Sequence, residues 1–169
     1  KGLMLSSLFS NFPTIFFESR ALHSMKEEVP TTPYFLDPTK AFLRNKGSDL
    51  TIVSFGPSVK NAIEVSHLLK LQKNISCEVI DLRSVNPIDE KTVIKSVKKT
   101  KNLCLIEHGW PIASISSEII SIVSEKLRLN KKPIKFCWPN SYTPTTHGLE
   151  KQYYFDNQDI ANKIIKNLV

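Results

Sequence analysis

Glycine is scarce in this chain, with five in 169 residues. None is spaced as G-x-G-x-x-G or as a phosphate-binding P-loop, which excludes a nucleotide site built on either loop. The G-x-S-x-G turn that presents a nucleophilic serine is absent as well. Cysteine is sparser still: Cys77, Cys104 and Cys137 are odd in number and lack the close spacing of a metal site. Each falls in an apolar, strand-like segment, which fits free buried thiols in a reducing compartment. No apolar run approaches the length needed to cross a bilayer. The opening KGLMLSSLFSNF has the lysine and apolar stretch of a secretory leader. It is short, Asn11 interrupts it, and no small-residue cleavage site follows, so it is read as part of the fold. Internal repeats and low-complexity tracts are also missing.

What the chain does have is an ordinary globular composition, 41% hydrophobic and 23% charged, with a formal net charge of +7. Its length suits one α/β domain with a buried core. The positive charge sits in lysine clusters, KSVKKTK and RLNKK, placed where helices should face water. No aromatic residues interleave with them and no nucleic-acid motif appears, so neither nucleic acid nor membrane is expected as a partner. A partner with an acidic surface stays open.

The texture changes near residue 38. Before it, Pro13, Pro30, Pro33 and Pro38 break any regular pattern. KGLMLSSLF reads as a helix feeding a short strand, PTIFF, and MKEEVPTTPYFLDP reads as an extended linker. From about Lys40 the chain alternates strand and helix. KAFLRNKGSDLTIVSFG holds two strand-like runs around Asn45-Lys46-Gly47, a candidate hairpin turn. PSVKNAIEVSHLLKLQ has helical spacing, with Pro57 suited to its first turn. CEVIDLR, NLCLIE and IKFCW read as strands. Asp89 and Asp156 are expected to cap the helices that follow them, and SISSEIISIVSEKL is a helix with an isoleucine stripe. The implied fold is α/β in three layers, a mostly parallel sheet with helices on both faces. Ligands or partners should meet the loops at the carboxyl ends of its strands: SFGPS, DLRSVNPID, EHGWPIAS and WPNSYTP.

Few residues stand out chemically. His67 sits in a helix as a surface or boundary residue. His108 lies at a strand's carboxyl end beside Glu107, a place suited to proton transfer, and His147 lies in a loop near Glu150. For each histidine a structural role is the favoured reading. Glu18 and Arg20 of FFESR directly follow the PTIFF strand. Arg20 there either grips a carboxylate or phosphate or forms an ion pair that orders the linker, and the ion pair is favoured.

Together these segments resemble a known family. VPTTPYFLDPTKAFLRNKGSDLTIVSFGPSVKNAIEVSHLL resembles the start of the transketolase C-terminal domain in β subunits of thiamine-diphosphate-dependent 2-oxo-acid dehydrogenases, pyruvate dehydrogenase among them. ISCEVIDLRSVNPIDEKTVIKSVKKTKNLCLIEHGW carries the family's E-V-I-D-L-R, P-hydrophobic-D, S-V-K-K-T and E-x-G-W in order. SSEIISIVSEKL and TPTTHGLEKQYYFDNQDI continue the similarity. Residues 1–38 resemble the end of the preceding pyrimidine-binding domain and its linker, and residues 39–169 the transketolase C-terminal domain.

The resemblance implies a parent with thiamine diphosphate and magnesium held between an α subunit and the β pyrimidine-binding domain. It implies a heterotetramer with an α partner and a β–β contact. It also implies docking of the peripheral-subunit-binding domain of an acyltransferase core near Leu168 and Val169. The glutamate that activates the cofactor, and that domain's histidine, would lie before Lys1; the diphosphate and magnesium ligands belong to the α partner. No catalytic residue or metal ligand is therefore carried over, and the fragment alone is expected to bind no cofactor and to be inactive. Arg20 and His108 remain possible active-site neighbours, since FFESR also resembles the arginine-bearing strand end that transketolases use near substrate phosphate. Glu107, Trp110, Leu168 and Val169 are interface or docking candidates. The implied compartment is cytoplasmic, or the mitochondrial matrix or plastid in a eukaryote. A transketolase or deoxyxylulose-phosphate-synthase-type fragment and a non-catalytic interaction module are the alternatives. One departure stands out: where the family carries glycines before the helix after E-H-G-W, this chain has Ala113, Ser114 and Ser116, so the turn is expected to manage without φ > 0.

Overall fold

The computed structural model describes residues 1–168. Five strands form one sheet: β1 (Phe42–Asn45), β2 (Leu50–Ser54), β3 (Cys77–Asp81), β4 (Leu103–Ile106) and β5 (Ile134–Phe136), in the order β1-β3-β2-β4-β5. β2 pairs in parallel with β3 and β4, β4 with β5, and only β1 is antiparallel, against β3. The helices are α1 (Gly2–Leu8), α2 (Ser58–Lys73), α3 (Glu90–Thr100), α4 (Ile115–Lys126), α5 (His147–Tyr153) and α6 (Asn157–Leu168). α2, α3 and α4 are the crossovers that parallel pairing requires.

Successive strand residues point to opposite faces, so each strand feeds two cores. Ile52, Val79, Cys104 and Ile106 meet Val65, Leu69, Ile160 and Ile164 of α2 and α6 on one face. Val53, Ile80, Leu103 and Leu105 meet Val93, Val97, Ile119 and Val123 of α3 and α4 on the other. Burying each such side chain contributes about 1.5–3 kcal/mol before entropy is counted. The exception in the second layer is Thr51, whose Oγ1 lies 2.7 Å from both Ser96 Oγ and Thr100 Oγ1 of α3.

The expected caps are present. Asp89 accepts from the Thr92 amide at 3.2 Å, and also from the Ala41 amide at 3.1 Å, which ties α3 to the approach to β1. Asp156 accepts from the Gln158 amide at 2.8 Å as α6 begins.

Three local expectations fail. Asn45-Lys46-Gly47 does not close a hairpin, because both edges of β2 are taken by β3 and β4 and β1 goes to the far side of β3. To get there the chain presses Gly47 against the β3 backbone: a Cβ on Gly47 would sit 2.2 Å from the carbonyl carbon of Cys77. PTIFF is not a strand; it has no ladder partner among the described residues, and Ile15 and Phe17 are over 80% exposed. His147 begins α5 instead of lying in a loop. The segment read as an extended linker, residues 25–38, forms no helix or strand, and its residues 30–36 lie against α1. Lys1 Nζ donates to the carbonyls of Thr31 and Thr32 at 2.9 Å, and Ser6 Oγ accepts from the Leu36 amide at 2.9 Å.

Candidate functional site

The loops after β4 and β5 meet the first turn of α2 and the approach to α6 at His108. Both loops start from a strand end fixed by the sheet, and Gly56, with φ 57°, turns the chain from β2 into α2. His108 lies two residues past the end of β4 and is half-buried. Its ring stacks on Trp138, centroids 4.9 Å apart and planes 23° apart, with Phe155 at 5.8 Å. Trp138 is held there because its amide donates to the Gly109 carbonyl at 2.8 Å. Its indole Nε1 is buried and has no partner among the described residues.

A chain of amides sets the imidazole. Asn61 of α2 donates through Nδ2 to Asn157 Oδ1 of α6 at 2.9 Å, which turns Asn61 Oδ1 toward His108 Nε2, also at 2.9 Å. Nε2 must then carry the hydrogen, an assignment made from the network. Burial among aromatic rings lowers the His108 pKa from its ordinary value of 6.5, favouring the neutral ring. A neutral imidazole so placed positions α2 and α6 against β4. Catalytic use would need a reacting group at its other nitrogen.

Glu107 is 6% exposed and points the other way. One carboxyl oxygen accepts from both the amide and the hydroxyl of Ser116, at 2.9 and 2.6 Å, at the start of α4. It holds a helix terminus, where acceptors satisfy otherwise unpaired amides. Ser114 caps the same helix, accepting from the Ser117 amide at 3.1 Å. Lys135 Nζ spans from the Pro111 carbonyl to Ser117 Oγ at 2.8 and 2.7 Å, pinning the loop from behind. The turn before this helix does use the left-handed region: Ala113 has φ 51°, so the expectation that it would avoid positive φ is corrected. The helix start dictates the turn, and alanine bears the strain that glycine would not.

The other candidates are scattered. Trp110 is 48% exposed and meets Tyr142 edge-on at 6.4 Å, an open aromatic pair on the same rim. Arg20 opens a 3₁₀ turn and is exposed, and its side chain has no hydrogen bond or ion pair among the described residues; in the same stretch the exposed Glu18 carboxylate lies 3.7 Å from His23 Nε2. Leu168 is partly buried against the α2–α6 core, and Val169 lies outside the described residues. His67 is exposed on α2. Cys77 and Cys104 are buried in β3 and β4, and Cys137 is half-buried just past β5. Burial pushes the Cys77 thiol up to about 12 and raises the other two, so all three stay protonated and unreactive. Sequence reasoning missed Asn61, Trp138 and Asn157. Of these, Trp138 carried a usable signal, an aromatic residue just past a strand's carboxyl end.

Among the described residues no three His, Cys, Asp or Glu side chains are placed to hold a metal ion. Nor is any helix there long and apolar enough to cross a membrane.

Comparison with known proteins gives the frame for these features. The family model for the transketolase C-terminal domain matches residues 39–160. The chain is 40% identical over 126 residues to the pyruvate dehydrogenase E1 component subunit beta of Rickettsia felis, covering 75% of this chain and 38% of that protein. It is 36% identical over 155 residues to the acetoin:2,6-dichlorophenolindophenol oxidoreductase subunit beta of Bacillus subtilis, covering 90% and 45%. Among solved structures, a split-gene transketolase described as an inactive beta4 tetramer superposes with a TM-score of 0.70 at 24% identity, covering 84% of this chain and 46% of that one, a likeness of fold. The chain spans about half or less of the length of these relatives. It belongs to the transketolase C-terminal domain family, among the sequences of pyruvate-dehydrogenase-like E1 β subunits.

Proposed function

We propose that the chain is the C-terminal part of the β subunit of a pyruvate-like 2-oxo-acid dehydrogenase. Residues 39–169 would be its transketolase C-terminal domain, and residues 1–38 the end of the pyrimidine-binding domain and its linker. One observation carries this reading beyond sequence similarity. Leu8, Phe9, Phe12, Ile15, Phe17 and Met25 are 60% exposed or more, within a stretch that has no sheet of its own. An apolar run that finds no core in this chain is the expected face of a segment whose core lies in another domain.

The parent would decarboxylate a 2-oxo acid with thiamine diphosphate and Mg²⁺, the cofactor stabilising the carbanion. This chain's residues do not fit that group: it has no phosphate-binding glycine loop and no metal-ligating cluster among the described residues. Its contribution is assembly. In this reading the rim around Trp110 and Tyr142 contacts neighbouring subunits, an α partner and a second β. The end at Leu168 and Val169 faces the peripheral-subunit-binding domain of the acyltransferase core. Arg20 lies near the active site of the assembled enzyme, and His108 and Glu107 support the rim from within. The compartment would be the cytoplasm, or the matrix or a plastid in a eukaryote.

The test starts with the intact mass and N-terminal sequence of the natural protein, followed by coexpression with the α subunit from the same source. A longer chain that forms an α–β complex and decarboxylates a 2-oxo acid only with thiamine diphosphate is expected. A natural chain beginning near Lys1, with no α partner and no such activity, would overturn the proposal.

A further inference from the structure

The two lysine-rich stretches lie apart in sequence but meet in the fold. The Asn130 amide donates to the Lys101 carbonyl at 2.9 Å, which lays residues 128–132 beside the end of α3. Lys98, Lys101, Arg128, Lys131 and Lys132 thus share one ridge where β4 begins, at the opposite end of the sheet from His108. None of the five forms an ion pair among the described residues. The neighbouring cations differ: Lys99 is engaged by Glu78 and Lys126 by Glu90.

Helix-dipole complementarity accounts for Lys98, in the last turn of α3. It does not account for Lys101, which caps the helix from a left-handed conformation at φ 59°, nor for Arg128, Lys131 and Lys132, which follow α4 in a loop. Glu125 is the one exposed carboxylate in the adjoining end of α4. Like charges brought together without partners repel, and a ligand that neutralises them gains what they lose.

We infer that this ridge is a docking surface for an acidic polypeptide segment. No aromatic side chain lies in residues 90–101 or 126–133. The ridge therefore lacks the stacking platforms that single-stranded nucleic acids use, while flexible, solvent-facing cations suit carboxylates on an extended chain. The inference rests on charge placement and is independent of the parent enzyme's activity.

The test measures fluorescence anisotropy of a short labelled Glu/Asp-rich peptide with the full-length polypeptide near physiological salt. Reversing Arg128, Lys131 and Lys132 together to Glu is expected to weaken binding by about tenfold or more. Reversing Lys26, Lys40 and Lys151 to Glu changes net charge equally and is expected to weaken it by less than about twofold. Substituting Gln at the first three positions, a milder change that guards against misfolding, should still weaken binding several-fold with an unchanged melting temperature. Equal losses from both reversals would reduce the effect to net charge and overturn the inference, as would no binding by the unmodified protein. Tighter binding of a charge-matched oligonucleotide, lost with the same reversal, would make this a nucleic-acid surface and also overturn it.

Discussion

Ser116 gives both its backbone N–H and its hydroxyl to one carboxyl oxygen of Glu107. All three groups are buried, so removing the acceptor leaves two donors without partners. Glu107→Ala is expected to destabilise the domain by about 2–4 kcal/mol, and Glu107→Gln, which keeps one acceptor oxygen, by roughly half as much. Urea unfolding followed by circular dichroism measures both; a loss under about 0.5 kcal/mol for the alanine variant would contradict this account.

At Ala113 the backbone asks for glycine. A non-glycine residue in the left-handed region costs about 1–2 kcal/mol, part of which glycine returns through unfolded-state entropy. Ala113→Gly is therefore expected to stabilise by about 0.5–1 kcal/mol, and Ala113→Val to destabilise by more than that. A melting temperature that moves the other way for glycine would show that the turn relaxes in solution.

His108 should make stability depend on pH below neutrality. Its folded pKa is depressed from 6.5 by burial, so the unfolded chain takes up the proton first. The associated stability is fully present above about 6.5 and is lost as pH falls through the lower folded value. His108→Gln keeps a donor for Asn61 without a titrating ring. Denaturation midpoints measured from pH 7.5 to 5 should fall more steeply for the native chain than for this variant; parallel curves would remove His108 as the cause.

Gly47 offers the sharpest steric test. Any side chain there meets the backbone of Cys77 and Glu78 at 2.2–2.6 Å, and backbone cannot move aside as a side-chain tip can. Gly47→Ala is expected to cost about 2–3 kcal/mol or to abolish soluble expression. Near-native stability would mean that the crossing from β1 to β2 is looser than described.

Much of the α/β alternation was readable because it is local. Asp89 and Asp156 announce their helices, and both faces of the sheet are covered, so the inner strands read as mostly apolar runs. The failures came where a partner far along the chain decides. Asn45-Lys46-Gly47 has hairpin chemistry, but β2 has no edge to offer β1. PTIFF has strand composition and no strand beside it. The cluster around His108 was half visible: its place at a strand end could be read, while Asn61, Asn157 and Trp138 arrive from three separate elements. Glu107 reads as half of a proton-transfer pair with His108, yet the two side chains point apart, because neighbours on a chain leaving a strand face opposite sides.

The hydroxyl triad of Thr51, Ser96 and Thr100 has a consequence for uniqueness. An aliphatic helix face can slide along an aliphatic sheet with little loss, since one methyl group packs much like another. Here a slip of α3 by one turn would strand up to three buried hydroxyls, each costing about 1–3 kcal/mol. The triad works as a key: it adds little net stability where it sits, but it makes every neighbouring setting of α3 expensive and leaves the central strand one seat for its helix.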